Sequence, residues 1–89
     1  MKRILMYDNR HFGEPTFWDV SSSEGAEKAY RAMFKMMDDD CYYVDLNLKY
    51  QVMYNEIKSK NEYQTIKTFL DMRCKERFEY ETFKFYNVK

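Results

Sequence analysis

Nine tyrosines, seven phenylalanines and one tryptophan in a chain of 89 residues bring more ring surface than one small core can hide. Aromatic side chains bury large apolar areas, and each Tyr hydroxyl needs a wet edge or a hydrogen-bond partner. The rings crowd two stretches: Tyr42, Tyr43, Tyr50 and Tyr54 in the middle, then Phe78, Tyr80, Phe83, Phe85 and Tyr86 near the end. The chain must fold around the rings its core admits and carry the surplus on a contact surface.

The length allows one domain with a single modest core. Hydrophobic residues at 45% and charged residues at 34% describe an ordinary globule and not a disordered chain. Two glycines and one proline argue against long irregular loops. No apolar run approaches the roughly 20 residues that cross a bilayer. Met1-Lys2-Arg3 precedes only a short apolar stretch, too short for the core of a signal peptide. A cytoplasmic protein with no membrane partner is expected. Cys41 and Cys74 form no CxxC pair and have no further Cys partner, so they read as two buried structural thiols and not as a zinc or disulfide framework.

Ile4-Leu5-Met6-Tyr7 is apolar at every position, as a strand covered on both faces would be. Asp8 to Pro15 reads as a loop. Thr16 to Val20 reads as a second strand, with Trp18 and Val20 on one face and Phe17 and Asp19 on the other; residues 4–7 and 16–20 pair as a hairpin in an open register. Ser21 and Glu24 have capping-box spacing, and a helix follows to about Asp38 with Ala26, Ala29, Tyr30, Met33, Phe34 and Met37 on one stripe. Cys41 to Leu46 is either a strand or the lead into a helix; an extended segment is preferred because Asp45 makes a fair N-cap. A second helix carries Leu46, Tyr50, Met53, Tyr54 and Ile57. Asn61 and Gln64 offer a cap to a third, which carries Tyr63, Ile66, Phe69, Leu70 and Cys74 and ends near Arg77. Arg73, Lys75 and Arg77 fall in its last turns, where the helix dipole favours cations. Phe78 to Tyr86 alternates as a closing strand, with a change of phase that suggests a bulge near Thr82 and Phe83. The fold class is α+β: one small domain over residues 1–89, with two to four short, mainly antiparallel strands packed against about three helices.

The formal charge sums to zero but is unevenly spread. Asp8 to Asp45 holds nine acidic against four basic residues, and Lys49 to Arg77 holds seven basic against four acidic. Asp38-Asp39-Asp40 at a helix C-terminus is unfavourable, because the carboxylates repel one another and meet the negative end of the dipole. The run lacks the Gly and Glu of an EF-hand loop, so no metal is assigned to it. It reads as a solvated turn or as a patch for a basic partner. Asp8, His11 and Glu14 share one loop and are the only candidates for metal or proton chemistry, but their spacing matches no known site and a solvated loop is preferred. The basic last helix, with Tyr50, Tyr54 and Tyr63, would serve a nucleic acid, yet the sequence pI of about 6.6 lies well below that of most such domains. No GxGxxG, GxxxxGK[ST], HExxH or GxSxG pattern occurs, so neither catalytic residues nor a cofactor are assigned.

The Met-Lys-Arg start, the small size, the Tyr-, Lys-, Asn- and Glu-rich composition and the segment WDVSSSEGAEKAYRAMFKMMDDD (Trp18 to Asp40) give a chain that resembles, in style, the small proteins bacteriophages use against host machinery or host defence, anti-CRISPR-like proteins among them. That resemblance implies a non-enzymatic inhibitor that binds and blocks a larger host protein. The expected function is a protein-interaction module, with a nucleic-acid-binding regulator as the alternative. Tyr30, Phe34, Phe69 and one face of the last strand are expected in the core. The expected contact residues are Asp38, Asp39, Asp40, Tyr42, Tyr43, Asp45 and Tyr86, for a basic or nucleic-acid-binding protein. The edge of the last strand is a further candidate, for homodimerisation.

Overall fold

Ile4 to Tyr7 lies at the centre of β1 (Lys2–Asn9), the middle strand of a three-stranded antiparallel sheet. The computed structural model describes residues 1–10, 13–39, 47–76, 78–79 and 81–89. The sheet is completed by β2 (Thr16–Asp19) and β3 (Glu81–Val88), in the order β2-β1-β3. Three helices follow β2 in the chain: α1 (Ser23–Asp39), α2 (Leu48–Lys60) and α3 (Tyr63–Lys75). The α+β class is therefore correct. The anticipated extended segment Cys41 to Leu46 lies outside the described residues, and the N-cap of α2 is Asn47 and not the anticipated Asp45.

All three helices stand on one side of the sheet, and the two-residue period of the strands decides which side chains they cover. Leu5 and Tyr7 of β1 are buried in one cluster with Ala29, Tyr30, Met33, Phe34 and Met37 of α1, Tyr50 and Ile57 of α2, and Ile66, Phe69 and Leu70 of α3. Trp18, Val20 and Phe83 pack against that cluster from the neighbouring strands. Tyr7 stacks on Phe83 with centroids 5.1 Å apart, and Phe69 meets both Phe34 and Tyr50 edge-on. These rings are the share of the aromatic load that the core admits.

Local chemistry sets the element ends, several of which differ from expectation. The cap of α1 is Ser22, whose Oγ accepts from the Gly25 N–H; Ser21 instead accepts from the Arg3 N–H and ties the strands together. A Cβ on Gly25 would stand 2.6 Å from the Asp19 carbonyl oxygen, so only glycine lets α1 start this close to β2. Asn47 caps α2 by accepting from the Lys49 N–H. Asn61 does not start α3. It closes α2 in the left-handed conformation, and its carbonyl and side-chain oxygens both accept from Arg31 of α1. The last strand has no bulge: β1 and β3 pair without interruption from Lys2–Val88 to Asn9–Glu81. The phase change in the sequence arises because Phe78 precedes the strand, making only an isolated bridge to Glu81.

The largest departure is Arg73. It is fully buried, not a surface cation at the end of a helix. Its guanidinium pairs with the Glu81 carboxylate, whose other oxygen accepts from the Tyr7 hydroxyl at 2.9 Å. Asn9 in turn donates to the Tyr7 oxygen at 3.1 Å. The same guanidinium lies 4.2 Å from the Phe78 ring centroid, 5.3 Å from Tyr50 and 5.7 Å from Phe69. Burial, followed by the Glu81 charge, pushes the Tyr7 hydroxyl far above its ordinary value. This network fastens the start of β3 to both β1 and α3.

Removing one member leaves a buried charge uncompensated, whereas removing both does not. In urea unfolding, Arg73→Met and Glu81→Leu should each cost about 3–5 kcal/mol, and the double variant should recover most of that loss.

Candidate interaction surface

The alternate residues of the sheet form a face that the helices do not cover. Lys2, Ile4, Met6 and Asp8 of β1 lie between Phe17 and Asp19 of β2 and Thr82, Lys84, Tyr86 and Val88 of β3. Ile4 sits between Asp19 and Tyr86, and Met6 between Phe17 and Lys84. Phe17 is 57% exposed, Val88 47% and Tyr86 43%, so three large apolar side chains stand open on one small sheet. Ile4, Phe17, Tyr86, Asn87 and Val88 line a shallow apolar depression there. Met6, on this face, is 8% exposed and stands outside the helix-facing cluster. The expectation that Ile4 to Tyr7 is covered on both faces is thus half met. The described chain covers one face and leaves the other open.

Charges on this face are balanced. Lys2 and Lys84 stand against Asp8 and Asp19 around the apolar centre. The Asp19 carboxyl is held below the usual range by hydrogen bonds from Ser21. Such a surface offers an apolar patch with a rim of both signs, the common anatomy of a protein interface.

Of the residues anticipated as contacts, Tyr86 lies on this face. Asp38 and Asp39 end α1 in the helical layer, on the other side of the sheet. Asp40, Tyr42, Tyr43 and Asp45 lie outside the described residues. Asp39 is exposed. Asp38 accepts from the Tyr54 hydroxyl and, at 2.6 Å, from Lys58 Nζ, both on α2. These donors offset the carboxylate's unfavourable place at a helix C-terminus. The Lys58 hydrogen bond, with that of Tyr54 second, lowers the Asp38 pKa.

The other candidates disperse. Asp8 lies half-buried on the sheet, Glu14 is exposed in the turn after it, and His11 is outside the described residues. Among the described residues no cluster of His, Cys, Asp and Glu is arranged to hold a metal. Of the basic residues assigned to nucleic acid, Arg73 is buried, Lys67 pairs with Asp71 at 2.6 Å, and Arg77 is outside the described residues. Lys49 pairs with Glu76 at 3.0 Å. Cys74 is half-buried, and burial pushes its thiol up to about 12, which suits a structural thiol and not a nucleophile. No helix among the described residues is long and apolar enough to cross a membrane.

The sequence did hold the signal for the open face, in Ile4 and Met6 standing apolar opposite the core-facing Leu5 and Tyr7, with Phe17 out of phase with Trp18. No family model matches this chain, and neither curated proteins nor solved structures give a significant match. The fold and its surface carry the functional reading.

A depressed carboxylate pKa adds stability above the unfolded value near 3.9, and that stability disappears as pH falls through the folded value. Asp38→Asn should therefore destabilise the protein at pH 7 and be nearly neutral at pH 2, as read by thermal unfolding across that range.

Proposed function

We propose that this chain is a non-enzymatic protein-interaction module that binds an apolar surface of another protein through its open sheet face. One observation carries the reading: β1, the central strand, is apolar on both faces, the described helices pack on only one of them, and Phe17, Tyr86 and Val88 stand exposed around Ile4 and Met6 on the other. Exposed apolar side chains such as Phe17, Tyr86 and Val88 grouped on one face are an aggregation hazard unless a partner covers them. The exposed rings and the aliphatic centre are the groups that supply most interface energy. The balanced charges at the rim suit a protein partner better than a polyanion, which selects for a basic surface. With the phage-type resemblance, the partner would be a larger host protein blocked by occupancy of its own apolar site.

The test is affinity capture from nuclease-treated host lysate with the full chain as bait. A protein captured by the wild type should be lost at least tenfold with Phe17→Ser combined with Val88→Ser, and retained with Asp39→Asn. Both exposed substitutions should leave folding stability within about 0.5 kcal/mol of wild type, as surface changes commonly do. Capture of no protein, capture indifferent to Phe17 and Val88, or capture abolished by nuclease contradicts the reading.

A further inference from the structure

We propose that the outer edge of β3 pairs with β3 of a second copy, giving an antiparallel dimer with one continuous six-stranded sheet. The edge is identified by backbone direction. Val20 N–H donates to the Arg3 carbonyl at 2.8 Å, and the Arg3 N–H donates to Ser21 Oγ at 2.9 Å, so the backbone groups of Arg3 point towards β2. Alternation along an antiparallel ladder then turns Ile4 and Met6 towards β3, where they pair with Tyr86 and Lys84. Phe83, Phe85 and Asn87 consequently direct their N–H and C=O groups away from the sheet. No strand among the described residues pairs with that side.

Against the devices that natural edges use to prevent pairing, this edge sets only an inward charge at its first residue, Glu81, and a single Lys. β3 is eight residues long, carries no Pro, and runs in unbroken register with β1. Its one Lys, Lys84, projects onto the open face. By contrast β2, the opposite edge, is only four residues long. β3 is thus the long, regular edge of the sheet.

Self-pairing also has a preferred register. With Phe85 on the two-fold axis, Phe83 faces the partner's Asn87 in hydrogen-bonded pairs, and Lys84 faces the partner's Tyr86. Centring on Lys84 would set two ammonium groups directly opposite each other, which is unfavourable. The register at Phe85 places a cation beside a ring instead, twice by symmetry. At the same edge, a groove of about 480 Å³ is lined by Cys74, Glu76, Phe78 and Phe83, with Thr82 and Lys84 of β3 completing its wall. The partner's Asn87, whose side chain lies on the helix side of its sheet, would enter this polar-rimmed groove. On the other side the two open faces merge, so the dimer would double the docking surface proposed above. The pairing stands on the edge alone and does not depend on what that surface binds.

Sedimentation equilibrium of the full chain from about 1 µM to 1 mM tests the pairing. The wild type should show a reversible monomer–dimer equilibrium. Tyr86→Lys should weaken the dimer about tenfold, because it sets like charges opposite each other twice. Adding Lys84→Glu to that variant should restore the dimer, a rescue that a folding defect would not show. Phe17→Ser, on the open face but far from this edge, should leave the dimer constant unchanged while weakening capture of the heterologous protein. A wild type monomeric up to 1 mM overturns the proposal. So does loss of dimer on Phe17→Ser, which would mean stacking of faces, or a double variant no better than Tyr86→Lys.

Discussion

The buried pair of Arg73 and Glu81 is the constraint on which the placement of β3 depends. Two charges removed from water cost several kcal/mol each, and only mutual attraction with satisfied hydrogen bonds offsets this. The fold meets that requirement with groups from several elements. Arg73 comes from α3 and Glu81 from β3, while Tyr7 of β1 donates to the carboxylate and Asn9 of β1 donates to the Tyr7 oxygen. Phe78, Tyr50 and Phe69 place ring faces against the cation. A one-residue slip of β3 would turn Glu81 to the opposite face and strand Arg73 in the core. Charge burial therefore sets register as well as attachment, as a single polar residue does in other buried interfaces.

That register fixes what the molecule shows to its surroundings. With Glu81 inward, Phe83 faces the helices, and Lys84, Tyr86 and Val88 face outward beside Ile4 and Met6. The open face follows from the same alternation that fastens the strand. The aromatic surplus is divided in the same way. Tyr7, Tyr30, Phe34, Tyr50 and Phe69 fill the core, while Phe17 and Tyr86 stay outside it.

Much of this architecture was legible in residue spacing. The stripes of α1 and α3, the hairpin of β1 and β2, and the buried Tyr30, Phe34 and Phe69 all follow from local periodicity. Capping details shifted by one or two residues, because Ser21 and Ser22, or Asn61 and Glu62, are locally equivalent until tertiary contacts choose between them. Arg73 was illegible for a deeper reason. At the end of a helix a cation is favoured by the dipole, and nothing nearby in the chain reveals an acid eight positions on that will neutralise it in the core. The acidic end of α1 looked anomalous for the converse reason, since Lys58 and Tyr54, which engage Asp38, arrive from another helix. The open face was legible only as a contradiction: a strand apolar on both sides in a chain with too little else to cover both.

Amide hydrogen exchange along β3, followed by NMR at low protein concentration, tests the central claim most directly. If the Arg73–Glu81 pair holds β3 in this register with its outer edge open, the Lys84 and Tyr86 amides exchange slowly. Those of Phe83, Phe85 and Asn87 then exchange fast. Uniform protection along β3, or protection in the opposite phase, would contradict it.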